Sequence, residues 1–208
     1  MTIGTITIEP MKARYNAEVG RLLVHGFRGK FQTLTKMNDD ELALFFEKLL
    51  DHFPAEPSSQ RVVALLEGEV IGTISVKWKD EYGWKREEKL PSWKSFSPLG
   101  IWSFYKMLLG LSLLDYKPQV GECYIADLAV HPAHRDKGVG KRLLQWAQHY
   151  VHTEPRLEVL SLHVSGQNQR AKQLYERLSF QTRSQKYSLA GYFLFRESQW
   201  DYMAKRLK

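Results

Sequence analysis

The stretch from Ile125 to Ala147 constrains this chain more than any other. An apolar run, Ile125-Ala126-Asp127-Leu128-Ala129-Val130, stops at His131-Pro132. A basic loop with two glycines follows, Arg135-Asp136-Lys137-Gly138-Val139-Gly140-Lys141. It passes into Arg142-Leu143-Leu144-Gln145-Trp146-Ala147, an amphipathic helical pattern. A strand feeding a helix through such a loop leaves main-chain N–H groups uncovered at a helix start, where partial positive charge favours phosphate. The pattern suits a pyrophosphate held by main chain, with Arg135, Lys137 and Lys141 adding charge. The plainer reading of the same residues is a tight turn followed by a solvated basic face.

The chain has 208 residues and 43% hydrophobic content, enough for one core, so residues 1–208 read as a single domain. Cys123 is the one cysteine, which excludes an intramolecular disulfide and a cysteine-rich metal site and points to a reducing cytoplasm. No histidine pair has metal-ligand spacing, so no metal is expected. A net charge of +7 biases encounters toward anions: nucleic acid, acidic membrane or a phosphorylated cofactor. The basic residues are dispersed, which makes nucleic acid the least favoured of the three. The first residues alternate like a strand and carry no secretory-signal pattern.

Periodicity predicts a strand over 5–9 and a helix over 11–27. A second helix follows Asn38, with Glu41 completing a capping box. A break over 53–59 precedes a hairpin, 61–66 and 70–78, around Glu67-Gly68-Glu69. Then come a strand over 122–130, a helix over 138–151, a strand over 157–164, a helix over 168–178, and strands over 185–189 and 200–204. Hairpins interrupt the βα alternation, which indicates a mixed α/β sheet rather than a doubly wound one.

Three segments resemble the GCN5-related N-acetyltransferase (GNAT) superfamily: the strand 125–130 followed by Arg135-x-x-Gly138-x-Gly140; Asn168-x-x-Ala171-x-x-x-Tyr175-x-x-x-Ser179-Phe180; and the closing Met203-Ala204-Lys205-Arg206-Leu207. The resemblance implies the GNAT fold, a mostly antiparallel central sheet flanked by helices and splayed in the middle to admit acetyl-CoA. It implies that the main chain of Leu128, Ala129 and Val130 pairs with the pantetheine arm. The loop Arg135, Asp136, Lys137, Gly138, Val139, Gly140 and Lys141 would hold the pyrophosphate, and Asn168 and Ala171 would contact the cofactor. Tyr175 would serve the departing thiolate. Glu122 is the first candidate for a general base, with Asp127 behind it and a water relay equally open. Ser179 departs from the family's usual glycine; if that position needs positive φ, serine costs on the order of 1 kcal/mol.

The resemblance thus implies an acetyl-CoA-dependent N-acetyltransferase acting on a primary amine by direct attack. The alternative is a GNAT-fold module that binds acyl-CoA without turnover. The connection over 79–118 is long for the family and contains an apolar, aromatic stretch from Trp93 onward, too short to span a membrane. A core or subunit-contact helix, such as a homodimer face, is its plainest use. A wall of the acceptor site including Trp102 or Tyr105, and an interfacial helix touching a membrane, are the others.

Overall fold

Alternating β-branched residues build a sheet whose two faces bury different helices. A computed structural model describes residues 5–31, 34–53, 57–79, 96, 100–187, 192 and 196–208, the Lys30 side chain excepted. The elements in order are β1 (Thr7–Pro10), α1 (Asn16–Phe31), α2 (Asp39–His52), β2 (Ser59–Leu66), β3 (Glu69–Trp78), α3 (Ile101–Leu114) and β4 (Glu122–Val130). They continue with α4 (Val139–Thr153), β5 (Val159–Ser165), α5 (Gln169–Arg177), β6 (Gln181–Tyr187) and β7 (Gln199–Arg206). The seven strands lie in the order β1-β2-β3-β4-β5-β7-β6, and β4 with β5 is the parallel pair.

That parallel pair is incomplete. Its ladder runs from Glu122 opposite Val159 to Ile125 opposite Leu162 and stops, although β4 continues to Val130 and β5 to Ser165. On its other side β4 stays paired with β3 to the end, with Ala126 bulged between Asp127 opposite Ser75 and Ile125 opposite Val76. A bulge adds one unpaired residue and bends the strand that carries it. The main-chain groups of 126–130 that point away from β3 therefore face a widening gap instead of a strand, with Val130 O accepting from Arg135 Nε at 3.4 Å.

On one face α4 and α5 bury Val139, Leu143, Leu144, Ala147, Val151 and Tyr175 against Ile74, Val76, Ile125, Leu160 and Leu162. On the other, α1, α2 and α3 gather Leu22, Phe31, Phe45, Phe104 and Met107 over Val63, Leu65 and Ala129. α3 approaches α1 at Gly110, where a Cβ would lie 2.7 Å from Phe31 Cε1 and 2.6 Å from Leu34 Cδ1, so glycine permits the contact. Asn38 caps α2 as the pattern predicts, its side chain accepting from Glu41 N–H at 2.9 Å while Glu41 returns the bond to Asn38 N–H at 2.8 Å.

Two boundaries differ from expectation. The first helix, which periodicity predicts over 11–27, occupies 16–31 after a short 3-10 turn. Met11 N–H is still bonded to Arg61 O at 2.9 Å, which holds the chain on the sheet edge, and the stack of Phe27 on Phe31 at 5.9 Å carries the helix onward. The strand predicted over 185–189 begins at Gln181, and residues 188–189 lie outside those described. β6 is an edge strand exposed along its whole length, so its residues need no apolar alternation; its main-chain ladder to β7 holds it. Of the long connection over 79–118, residues 79, 96 and 100–118 are described.

Candidate functional site

The loop after β4 sets one wall of the site. Arg135 closes a 3-10 turn at Pro132–His134, and Asp136 adopts φ 60° before Gly138 takes φ 80° as the residue preceding α4. Gly138 needs that left-handed backbone, and nothing lies within 4 Å of a Cβ built on it, so its solvent side is open to a ligand. The first α4 main-chain bond is Arg142 N–H to Gly138 O at 3.0 Å. The N–H groups of Val139, Gly140 and Lys141 therefore lack intrahelical partners.

These groups open onto a cavity of about 730 Å³ between the free edge of β4, the loop, α5 and residues His25 and Gly26 of α1. Its lining includes Leu128, Ala129, Val130, Arg135, Asp136, Gly138, Val139, Gly140, Lys141, Asn168 and Ala171. The structure thus brings together eleven of the twelve strand, loop and helix positions that the sequence singles out for the cofactor. Lys137, also in the loop, does not line it. Four cations line it as well, Arg135, Lys141, Arg170 and Arg177, against Asp136, whose carboxylate is taken by Arg170 at 2.6 Å. Such an excess of positive charge at a helix start suits a phosphorylated ligand. Asn168 accepts from Ala171 N–H at 3.1 Å, so its side-chain oxygen caps α5.

Tyr175 sits on the buried side of α5, its ring 5.8 Å from that of Phe180. It is absent from the cavity wall, and burial pushes its phenol up to about 12.

On the opposite face, where β4 and β5 part, stands a polar cluster that no local motif announces. Glu122 is buried and its carboxylate accepts from Tyr202 OH at 2.6 Å, Gln119 N–H at 2.7 Å and Tyr116 OH at 3.2 Å, and also from Ser161 Oγ. Two strand positions further on, the Tyr124 hydroxyl lies 3.1 Å from His163 Nδ1. His163 is the first β5 residue beyond the paired ladder. Burial, then the charge of Lys186, lowers its pKa below the ordinary histidine value, with Glu122 opposing. Burial raises the Tyr124 and Tyr202 phenols well above theirs. Tyr116 comes from the long connection and stacks on Tyr124 at 4.5 Å, 5.0 Å from His163 and 6.0 Å from Tyr202.

The sequence signal for this cluster was a period-two polar stripe: Glu122 and Tyr124 on β4, Ser161, His163 and Ser165 on β5. Each alternates with apolar residues that face α4. Asp127, the second candidate base, forms a bidentate ion pair with Arg61 at 2.6 and 2.7 Å. That pairing ties β2 to β4 across β3.

Solved structures share this architecture at low identity. A mutant form of the spermidine N-acetyltransferase SpeG from Vibrio cholerae matches with a TM-score of 0.62 and 16% identity, over 97% of this chain and 94% of that one. Arabidopsis thaliana NAA60, bound to a bisubstrate analogue, matches with 0.58 and 18%, over 97% and 98%. The ribosomal-protein-S18-alanine N-acetyltransferase of Escherichia coli matches with 0.57 and 12%, over 98% and 95%. No curated protein sequence matches the chain. The model of the acetyltransferase (GNAT) family matches residues 31–180, most of the chain, including the loop after β4, α5 and the Tyr124–His163 pair. The chain belongs to the GNAT acetyltransferase family.

Proposed function

We propose that this protein transfers an acetyl group from acetyl-CoA to a primary amine by direct attack, with both substrates bound. The observation that carries the reading is the incomplete β4–β5 ladder, with a basic cavity and helix start at its wide end and the Tyr124–His163 pair at its apex.

In this reading the N–H groups of Val139, Gly140 and Lys141 take the pyrophosphate, and Arg135, Lys137 and Lys141 supply long-range attraction. Asp136 contributes main chain, since Arg170 occupies its carboxylate. Leu128, Ala129 and Val130 offer free main-chain groups to the amide-bearing arm, while Asn168 and Ala171 form the wall beside it. The acyl carbon then lies near the apex.

An acceptor amine has a pKa near ~10.4 and must lose a proton before or during attack. Tyr124 alone is a poor acceptor of that proton, because burial disfavours a phenolate. His163 resolves the difficulty: as the amine proton reaches the Tyr124 oxygen, the phenol passes its own to His163 Nδ1. The nitrogen lone pair forms the new C–N bond, the C–S bond breaks, and its electrons leave on the thiolate. The family resemblance assigns Tyr175 to that sulfur, although its ring is buried and absent from the cavity wall. Full transfer from a phenol near 12 to a thiolate of ordinary basicity is uphill by roughly 5 kcal/mol, so stabilisation precedes protonation by solvent. Glu122 has its oxygens occupied by four donors and acts as the anchor that orients Tyr116, Tyr202 and Ser161 rather than as the base.

The test measures coenzyme A release from acetyl-CoA with a panel of amines, repeated on Tyr124→Phe and His163→Gln. Because the similar structures are named for spermidine and for an alanine of a ribosomal protein, the panel contains polyamines and short peptides with free amino groups. Turnover that both substitutions slow without weakening acetyl-CoA binding supports the reading. Tight binding of acetyl-CoA without turnover of any amine would instead favour a non-catalytic acyl-CoA sensor.

A further inference from the structure

α3 divides its fourteen residues between two opposite surfaces. Phe104, Met107 and Gly110 are buried against α1 and α2 through Phe31, Phe45 and Phe96. At 100° per residue, Ile101, Trp102, Tyr105, Leu109, Ser112 and Leu113 fall together on the outward half. They are exposed there: Trp102 78%, Leu109 57%, Leu113 55% and Tyr105 49%. A packed core does not need these side chains, and solvent disfavours them.

The patch extends about 20 Å along the helix at 1.5 Å per residue. Its exposed apolar area is on the order of 500 Å², taking an aromatic side chain at 150–250 Å². That is at the upper end of what a monomer ordinarily leaves bare. It falls short of the ~800 Å² per partner that a stable dimer buries. Charge also argues against a second copy. α3 has no acidic residue, and Lys106 borders the patch, so a two-fold contact would oppose lysines without a carboxylate to pair them. Asp115, the one acid between Gly100 and Gly121, is held by Lys77. Lys117 follows, exposed, in a chain of net charge +7. An apolar helical face with an exposed tryptophan and tyrosine, bordered by lysine that has no ion pair among the described residues, complements a surface that is greasy within and negative at its rim. No helix among the described residues is long and apolar enough to cross a membrane, so contact would be along the surface.

We propose that the outward face of α3 docks on an anionic lipid bilayer, with Trp102, Tyr105, Leu109 and Leu113 entering the headgroup boundary. The β4–β5 gap is built from other elements, and this docking does not depend on the acetyltransferase reading.

The experiment is co-sedimentation of the full chain with vesicles of phosphatidylcholine containing one-third phosphatidylserine, against phosphatidylcholine alone. Wild type is compared with Trp102→Ser and with the double substitution Leu109→Glu, Leu113→Glu. All three positions are solvent-facing, and circular dichroism checks that the fold is kept. Binding to the anionic vesicles that falls at least tenfold in both variants supports the proposal. It is overturned if wild type stays in the supernatant, or if the variants bind as well as wild type, which would reduce the effect to net charge. Sedimentation velocity without lipid supplies a further refutation: a dimer that the double substitution disperses would make a second copy the occupant.

Discussion

The two ends of the β4–β5 gap are built by opposite means. At the wide end, the ligand-facing groups are main chain: free strand edge over 126–130 and unbonded N–H groups at the start of α4. At the apex they are side chains gathered from β4, β5, β7 and the segment after α3: Tyr124, His163, Tyr202 and Tyr116. A backbone site constrains consecutive residues through φ and through the room a Cβ would occupy, so it leaves a local pattern. A side-chain site draws on residues 8 to 86 positions apart and leaves only a polar stripe of period two on each strand. Binding should therefore fail when the loop backbone is disturbed, and chemistry should fail when the apex side chains are.

The largest expected effect is at the apex. His163→Gln should lower kcat by about 10²–10⁴-fold, the usual worth of a positioned proton acceptor, and leave the acetyl-CoA dissociation constant within a factor of about two. Single-turnover rates beside calorimetric titration separate the two quantities. A variant that binds acetyl-CoA poorly but turns over normally would invert the division between the two ends.

The same residue fixes the pH profile. Burial and Lys186 lower the His163 pKa, so the imidazole is already unprotonated at neutral pH. Activity should be flat near neutrality and fall in acid, with the midpoint of the kcat/KM limb below ~6.5. His163→Gln should erase that limb while leaving a low, pH-insensitive rate. A midpoint well above ~6.5 would indicate a different group. Tyr175, near 12, should contribute no alkaline limb in the measurable range.

At the wide end, Gly138→Val places a β-branched side chain at φ 80° and in the space that a ligand would approach. Acetyl-CoA affinity should fall by about ten- to a hundredfold, read by titration, with kcat at saturation changed far less. Equal losses in both would mean that the loop also sets the apex, and the separation of roles would be wrong.

What was legible follows the same division. The capping box at Asn38, the β2–β3 hairpin and the Arg135-x-x-Gly138-x-Gly140 loop all rest on local rules, and each is found where its pattern places it. α1 starts later than its periodicity predicts because a tertiary bond at Met11 holds the chain on the sheet edge, and it runs on past Phe27 to the i,i+4 stack of Phe27 on Phe31. β6 starts four residues before the expected strand over 185–189 because an edge strand wet on both faces has no alternation to read. Glu122 stood out as a carboxylate near the loop, yet sequence offers no count of the hydrogen bonds that occupy it. His163 was visible as one of several histidines, but its alignment with Tyr124 requires the β4–β5 register. The apolar α3 was visible too, and which of its sides is buried became readable only once Gly110 met Phe31.

The smallest effect tests the one place where the motif departs from its family. Ser179 has φ 67°, immediately past the end of α5. Its N–H bonds Glu176 O at 2.9 Å and Phe180 N–H bonds Tyr175 O at 3.0 Å, with the Tyr175 and Phe180 rings in contact across the turn. That is a Schellman closure, which glycine fills without strain because it has no Cβ. Ser179→Gly should stabilise the fold by up to about 1 kcal/mol, near 2–4 °C in Tm for a chain of this size, with kcat and acetyl-CoA affinity unchanged. The closure already holds Tyr175 in place, so relieving the strain should not move its phenol. A gain in stability accompanied by a loss of turnover would show that the strain at Ser179 sets the aim of Tyr175, and would join the backbone and side-chain halves of the gap.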